Sequence, residues 1–374
     1  MQEALSAVVG GQKTAGRRMG MILEILTFLF FQSHGLGNSI RKGNQLPSFV
    51  IDATHETDFS FHPVLRSEGF TISDDNAGVG APRQPVPSRA FPLNLHEIDP
   101  DENVRTMKDK VVKGGLVNPL AVISIQEGDT KDGGDPDFRK ICATITSLST
   151  AQGREIRGTL NLLSNTAYAK VECKRVGIEL TADSAPQTIE KAKQAAYTAD
   201  HASSYQSILH RDGSRYGVLF DEDGEPFIGD YDELRRMIIN GENESAFESF
   251  SSKIFVFSEP DNWRGRDGEW KKDMDVLCGS FDWVMSMNDA SFLHFCSHFD
   301  IVNPEIHTEP VKNWILDNAK LGEIPWLAYN SLMEYVRQYP PERWFTVHSP
   351  ERASPSELVQ ELTELAATSS RFYR

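Results

Sequence analysis

Residues 291–300, SFLHFCSHFD, set four metal-ligand types at alternate positions: His294, Cys296, His298 and Asp300. On a strand all four would share one face. On a helix His294 and His298, four apart, share a face, and Cys296 lies nearly opposite. Asn288 or Asp289 supplies an N-cap, Phe292, Phe295 and Phe299 repeat at helical spacing, and Pro304 ends the segment, so a helix is predicted. The histidine pair joined by His307 would suit a metal-dependent hydrolase. No Glu follows His294 directly, so the H-E-x-x-H pattern is absent. The expected reading is a packing helix with histidines at its boundary, and no metal, cofactor or catalytic residue is assigned.

Other phosphate, metal and nucleophile motifs fail on spacing. The DEDG run at 221–224 would place Leu219 at the first ligand position of a calcium loop, and leucine offers no side-chain oxygen. The GGQKT of residues 10–14 lacks the contiguous Gly-Lys-Thr of a phosphate-cradling loop. GLGNSIRKG, from residue 35, lacks the third glycine of a dinucleotide fingerprint. His55, Glu56 and Asp58 offer acid–base groups and read as loop surface. Cys142, Cys173, Cys278 and Cys296 form neither a disulfide framework nor a zinc-finger spacing, which points to a reduced, intracellular compartment.

Charge carries the more suggestive signal. The formal net charge is −16. Residues 104–215 nevertheless hold 16 Lys and Arg against 13 Asp and Glu, whereas residues 216–374 hold 14 against 29. The candidate nucleic-acid ligands are Arg105, Lys108, Arg139, Lys140, Arg154, Arg157, Lys174, Arg175, Arg211 and Arg215, with Tyr168, Tyr197, Tyr205 and Tyr216 placed to stack on bases. No RRM signature or zinc-knuckle spacing accompanies them.

The elements that must position these groups divide at about residue 215. Residues 1–34 form an arm whose apolar run at 19–31 is too short to span a bilayer and reads as a buried or docking helix; no membrane insertion is expected. Residues 35–215 read as a mixed α/β lobe with irregular loops. It holds a short strand at 48–53, a short helix at 104–112, a hairpin of 120–125 with 141–148, a helix at 156–163, a strand within YAKVECKRVGIEL (residues 168–180) and a helix from Pro186. Residues 216–374 open on a hairpin turning at Asp223-Gly224. They continue as helices at 231–239, 273–287, 290–299, 311–319, 325–338 and 356–367, the last opened by a capping box at Ser354 and Glu357. All six tryptophans lie in this acidic, mainly helical lobe.

The expected fold class is therefore α+β, helix-rich and two-lobed. The expected function is a non-enzymatic, self-assembling protein that binds single-stranded RNA, nucleoprotein- or capsid-like, as a homo-oligomer in the cytoplasm or a virion. The alternatives are the His294/His298/His307 hydrolase and an acidic protein-interaction module.

Overall fold

The computed structural model describes residues 12–42, 58–73, 105–108, 112–113, 116–119, 121–127, 137–149, 155–164, 167–175, 206–209, 214–220, 225–242, 246–247, 250–258, 272–301, 310–317, 320–321, 323–350 and 352–372. It opens with α1 (Gln12–Phe31) and a π-helical turn (Gln32–Leu36). Strands β1 (Ile40–Lys42), β2 (Phe59–Phe61) and β3 (Val64–Ser73) follow. Then come β4 (Arg105–Lys108), β5 (Val112–Lys113), β6 (Leu116–Val117), β7 (Ala121–Glu127), β8 (Asp137–Ser149), β9 (Glu155–Leu163) and β10 (Ala169–Arg175). Next are β11 (Gln206–Leu209), β12 (Arg215–Phe220), β13 (Pro226–Asp230), α2 (Tyr231–Ile239), β14 (Ser252–Ser258), α3 (Lys272–Ser280) and β15 (Trp283–Met287). The chain continues through α4 (Asp289–His298), α5 (Pro310–Leu316), β16 (Ile324–Pro325), α6 (Trp326–Arg337), α7 (Pro341–Trp344) and β17 (Phe345–Val347) to α8 (Pro355–Phe372).

The fold is α+β. Its centre is a mixed six-stranded sheet in the order β1-β2-β10-β14-β15-β17. β10, β14 and β15 run parallel, and the other neighbours are antiparallel. This sheet takes three strands from before residue 215 and three from after it. One face carries α1, whose Ile22, Leu23, Leu26, Leu29 and Phe30 are buried in one cluster with Phe59, Val171, Ile254 and Val256. A helix apolar on nearly every side needs that enclosure. With the turn that follows, α1 is long and apolar enough to cross a membrane, yet 67% of that stretch is buried inside the molecule. At Gly35, in the turn that reverses the chain into β1, φ is +86°, a conformation in which a Cβ would be strained. The opposite sheet face carries α3, where Met274 and Leu277 pack on Phe255, Phe257 and Val284.

A second, antiparallel sheet, β3-β9-β8-β7-β4, is spliced into the hairpin between β2 and β10. It corrects two expectations. Residues 104–112 hold β4 and the start of β5 instead of a helix, and residues 156–163 belong to β9. Ile156, Gly158, Leu160 and Leu162 alternate with Arg157, Thr159 and Asn161, the period of a strand. The expected hairpin is β7 with β8.

The expected helix 273–287 is another correction: it ends at Ser280 and becomes β15. WVMSM is buried on both faces, as central strands are. The buried run SKIFVFS, β14, is a further strand in what had read as helical territory. The helices expected at 231–239, 290–299, 311–319, 325–338 and 356–367 correspond to α2, α4, α5, α6 and α8, and β12 pairs with β13 as the hairpin signal implied. Of the helix expected from Pro186, residues 186–205 lie outside the described residues and 206–209 are strand β11. The strand expected at 48–53 and the tip at 221–224 also lie outside them.

Candidate active site

β10 reads Ala-Lys-Val-Glu-Cys-Lys-Arg. Ala169 and Val171 are buried in the core under α1, so strand alternation sends Lys170, Glu172 and Lys174 to the other face. β2 pairs with β10 through Phe59↔Val171, Ser60↔Lys170 and Phe61↔Ala169. Asp58 immediately precedes β2, one position beyond the last ladder pair, and lies close enough to Glu172 for the two charges to interact. Asp58 Oδ2 accepts the backbone N–H of Cys173 at 2.7 Å, which pins its carboxylate against β10. Lys174 pairs with Glu172 in a salt bridge whose lysine side chain is 36% exposed and whose glutamate is 2% exposed. Two carboxylates and an ammonium thus meet where the chain enters β2 beside β10.

The electrostatics are those of crowded anions. Burial pushes the Asp58 carboxyl up to about 7, and the charges of Glu172 and of Glu24 on α1 add to that, against the Cys173 N–H and Lys174. Burial would pull the Lys174 ammonium down, but Glu172 and Asp58 outweigh it and raise its pKa. Burial, then Asp58, Glu24 and Glu172, drive the Cys173 thiol well above its ordinary value, so this cysteine stays protonated and is neither nucleophile nor thiolate ligand. Buried titratable groups that perturb one another in this way occur at functional sites, as they do in structural ion-pair networks.

Among the described residues no group of three or more His, Cys, Asp and Glu side chains converges as a ready-made metal cage. A magnesium-like ion needs less than that, because it keeps most of its waters and takes one or two carboxylates plus a substrate phosphate. Asp58 and Glu172 supply that donor set.

The histidine pair does something else. α4 is a helix capped by Asn288. His294 Nδ1 lies 2.5 Å from the Tyr335 hydroxyl, and the His298 ring lies 4.4 Å from that of Tyr335. Cys296 is buried on the other side, its thiol pushed up to about 12 by burial. His307 lies outside the described residues.

The ten basic candidates separate. Lys174 belongs to the site. Arg175 is the next residue of β10. Arg105 and Lys108 lie on β4, Arg139 and Lys140 on β8, and Arg157 on β9. The register puts Arg105 in the row of Gln126 and Phe138, and Lys108 in that of Ile123 and Ile141. Arg105 and Lys140 therefore fall in rows of one parity, Lys108 and Arg139 in rows of the other. Arg215 donates to the Cys278 carbonyl, lies 3.9 Å from Asp282 and stands over the Tyr231 ring. Arg154 and Arg211 lie outside the described residues.

A second polar cluster ties helices to the sheet. Arg235 of α2 pairs with Glu361 of α8, which also accepts from Ser252 Oγ at 3.0 Å and Trp283 Nε1 at 3.1 Å. Asp282 accepts from Tyr231 at 2.7 Å and from the Lys253 N–H at 2.8 Å. Above it, a groove of about 510 Å³ between α2 and α8 is lined by charges of both signs, among them Arg236, Arg352 and Glu364. Arg352 is already paired with Asp232 at 2.6 Å. Most donors and acceptors here answer one another, as in a structural network, while Arg235 Nε and Arg352 Nε are left without a hydrogen bond.

The chain matches no family model, no curated protein and no solved structure. What the site does therefore rests on its chemistry. Sequence reading had placed Asp58 on a loop surface and passed over Glu172. The one signal that pointed to Glu172 was the alternation of Lys170, Glu172 and Lys174 within a predicted strand.

Proposed function

We propose that the chain is a divalent-metal-dependent phosphodiesterase acting on nucleic acid. The observation that carries this reading is the approach of Asp58, the residue before β2, to Glu172 of β10, held by its hydrogen bond to the Cys173 N–H, with Lys174 one strand period further on and paired to Glu172. In this reading Asp58 and Glu172 would hold a magnesium-like ion, which would supply Lewis-acid polarisation of a phosphoryl oxygen and an acidified water. Lys174 faces the charge that builds on the phosphoryl oxygens. Water forms the new P–O bond, the bond to the leaving sugar oxygen breaks, and that oxygen ends with the proton water loses. The polyanion expected from the basic middle of the chain becomes the substrate.

The test is cleavage of labelled single-stranded RNA, single-stranded DNA and duplex DNA with Mg²⁺ or Mn²⁺, with chelator as control. Metal-dependent cleavage that Glu172→Gln and Lys174→Gln each lower by at least a hundredfold is the expected result. No cleavage of any of the three, together with no metal-induced rise in thermal stability, refutes it. The non-enzymatic RNA-binding assembly is the second reading. It draws on the basic residues of β4, β8 and β9, and it predicts large nuclease-sensitive particles with no cleavage.

A further inference from the structure

We infer that Arg18 of α1 anchors a phosphate site where the first turns of α1 meet α5. The inference stands apart from the Asp58–Glu172 reading and survives its failure. Arg18 lies one helical turn before Ile22 and two before Ile25, on a stripe of α1 that is otherwise apolar and buried. That stripe packs into the core with Val311, Trp314 and Ile315 of α5. Arg18 itself is 7% exposed, and its Nε and Nη1 are enclosed with no hydrogen-bond acceptor. Among the described residues no carboxylate forms an ion pair with it. The charge of Asp317, just past α5, reaches it, but that carboxylate is exposed. A cation withdrawn from water without a counter-charge is costly, so buried cations are paired or hold a ligand.

Arg235 is the contrasting case within the same molecule. It is buried as deeply, but Glu361 and Asp282 answer its charge, and its pKa rises in spite of burial. At Arg18 burial prevails and lowers the pKa, the neighbouring Arg17 lowers it further, and Asp317 offsets only part. The component that would complete Arg18 is an anion, and no described residue supplies it. Arg17 is exposed beside it, and two adjacent guanidiniums suit a dianion better than a single carboxylate. A phosphoryl group also matches the planar fork of arginine through paired N–H···O bonds. The ligand chemistry is therefore that of a phosphate, free or carried on a larger molecule.

The experiment is thermal unfolding of metal-free full-length protein at fixed ionic strength in chloride, acetate, inorganic phosphate or phenyl phosphate, beside equilibrium dialysis of radiolabelled phosphate. Saturating phosphate is expected to raise the wild-type midpoint by about 3 °C or more. Arg18→Met is expected to lose that shift and to be at least as stable as the wild type without phosphate, because it removes a buried charge that nothing balances. Arg18→Lys keeps the charge but not the fork, and its phosphate affinity by dialysis is expected to fall about tenfold. Lys174→Gln is expected to keep the shift, which separates this site from the proposed cleavage site. A shift from phenyl phosphate as well supports a site open to phosphorylated ligands, and a shift from inorganic phosphate alone supports a closed one. Absence of both shift and bound phosphate overturns the inference, as does an equal response to acetate or a shift that Arg18→Met retains. An Arg18→Met protein markedly less stable than the wild type without phosphate also overturns it, since the charge would then be answered within the fold.

Discussion

Asp58 and Cys173 are 115 residues apart in sequence and joined by a 2.7 Å hydrogen bond from the Cys173 backbone N–H to the Asp58 carboxylate. That contact sets where the first carboxylate of the site stands, and with it how closely the second approaches. Glu172 and Glu24 both act on Asp58, and the Lys174 ammonium offsets part of that repulsion.

The acidity of Asp58 sets a pH dependence. Its folded pKa, about 7, lies above the ordinary 3.8. The unfolded chain therefore gives up this proton first, and stability contributed by the protonated form is complete below pH 4 and is lost as pH rises through 7. The loss is ~2–4 kcal/mol, since water still reaches a half-buried group. Urea unfolding of metal-free protein at pH 5 and pH 8 should show that loss for the wild type and much less of it for Asp58→Asn. Millimolar Mn²⁺ should recover stability at pH 8 in the wild type alone.

Removing Arg235 should be among the most damaging single changes. It is 3% exposed and pairs with both Asp282 and Glu361. Arg235→Met leaves two buried carboxylates without their cation, a loss of about 3–5 kcal/mol. Adding Glu361→Gln and Asp282→Asn to that variant should return part of it, read as a rise in the urea midpoint above that of Arg235→Met alone.

The histidines of α4 are expected to be silent in metal binding. His294→Gln combined with His298→Gln should leave the metal content and the metal-induced thermal shift of the protein unchanged. It should cost about 1 kcal/mol through the lost contacts with Tyr335. A metal shift abolished in this double variant would move the site from β2 and β10 to α4.

Phe30 of α1 is fully buried, with its ring edge-on to Phe345 at 5.0 Å between centroids. Phe30→Ala should cost about 3–5 kcal/mol, measured by chemical unfolding. A membrane-seated α1 would instead show little change in soluble stability and a loss of vesicle flotation.

Local chemistry was legible where one short stretch contained the whole signal. Ser354 opens α8 by accepting the Glu357 N–H at 3.4 Å, and the Glu357 carboxylate reaches back to the Ala353 N–H at 3.0 Å, as the capping box implied. The helical reading of 290–299 held because its phenylalanines repeat every three or four residues. The strands of the spliced sheet were harder. Ile156 to Leu163 has enough leucine to suit a helix, and only its partners β3 and β8 decide between the two. Asp58 was illegible for a stronger reason: its role depends on register with a strand more than a hundred residues away, and no local pattern encodes that pairing. Glu172 lay in a stretch whose strand character was visible, but a single glutamate there looks like ordinary alternation until its neighbour across the ladder is known.

The sheet spliced between β2 and β10 bears on how the molecule assembles. Bringing Asp58 to Glu172 closes a long loop, and the entropy of such a closure grows only slowly with length, though contacts so distant in sequence slow the search for them. The meander of β7, β8 and β9 pairs nearest neighbours along the chain and can form early. Once it has, β2 and β10 are held end to end with β3 and β9, and the remaining search is short. The Asp58–Cys173 contact should then form late in refolding, after most backbone amides are already protected from exchange.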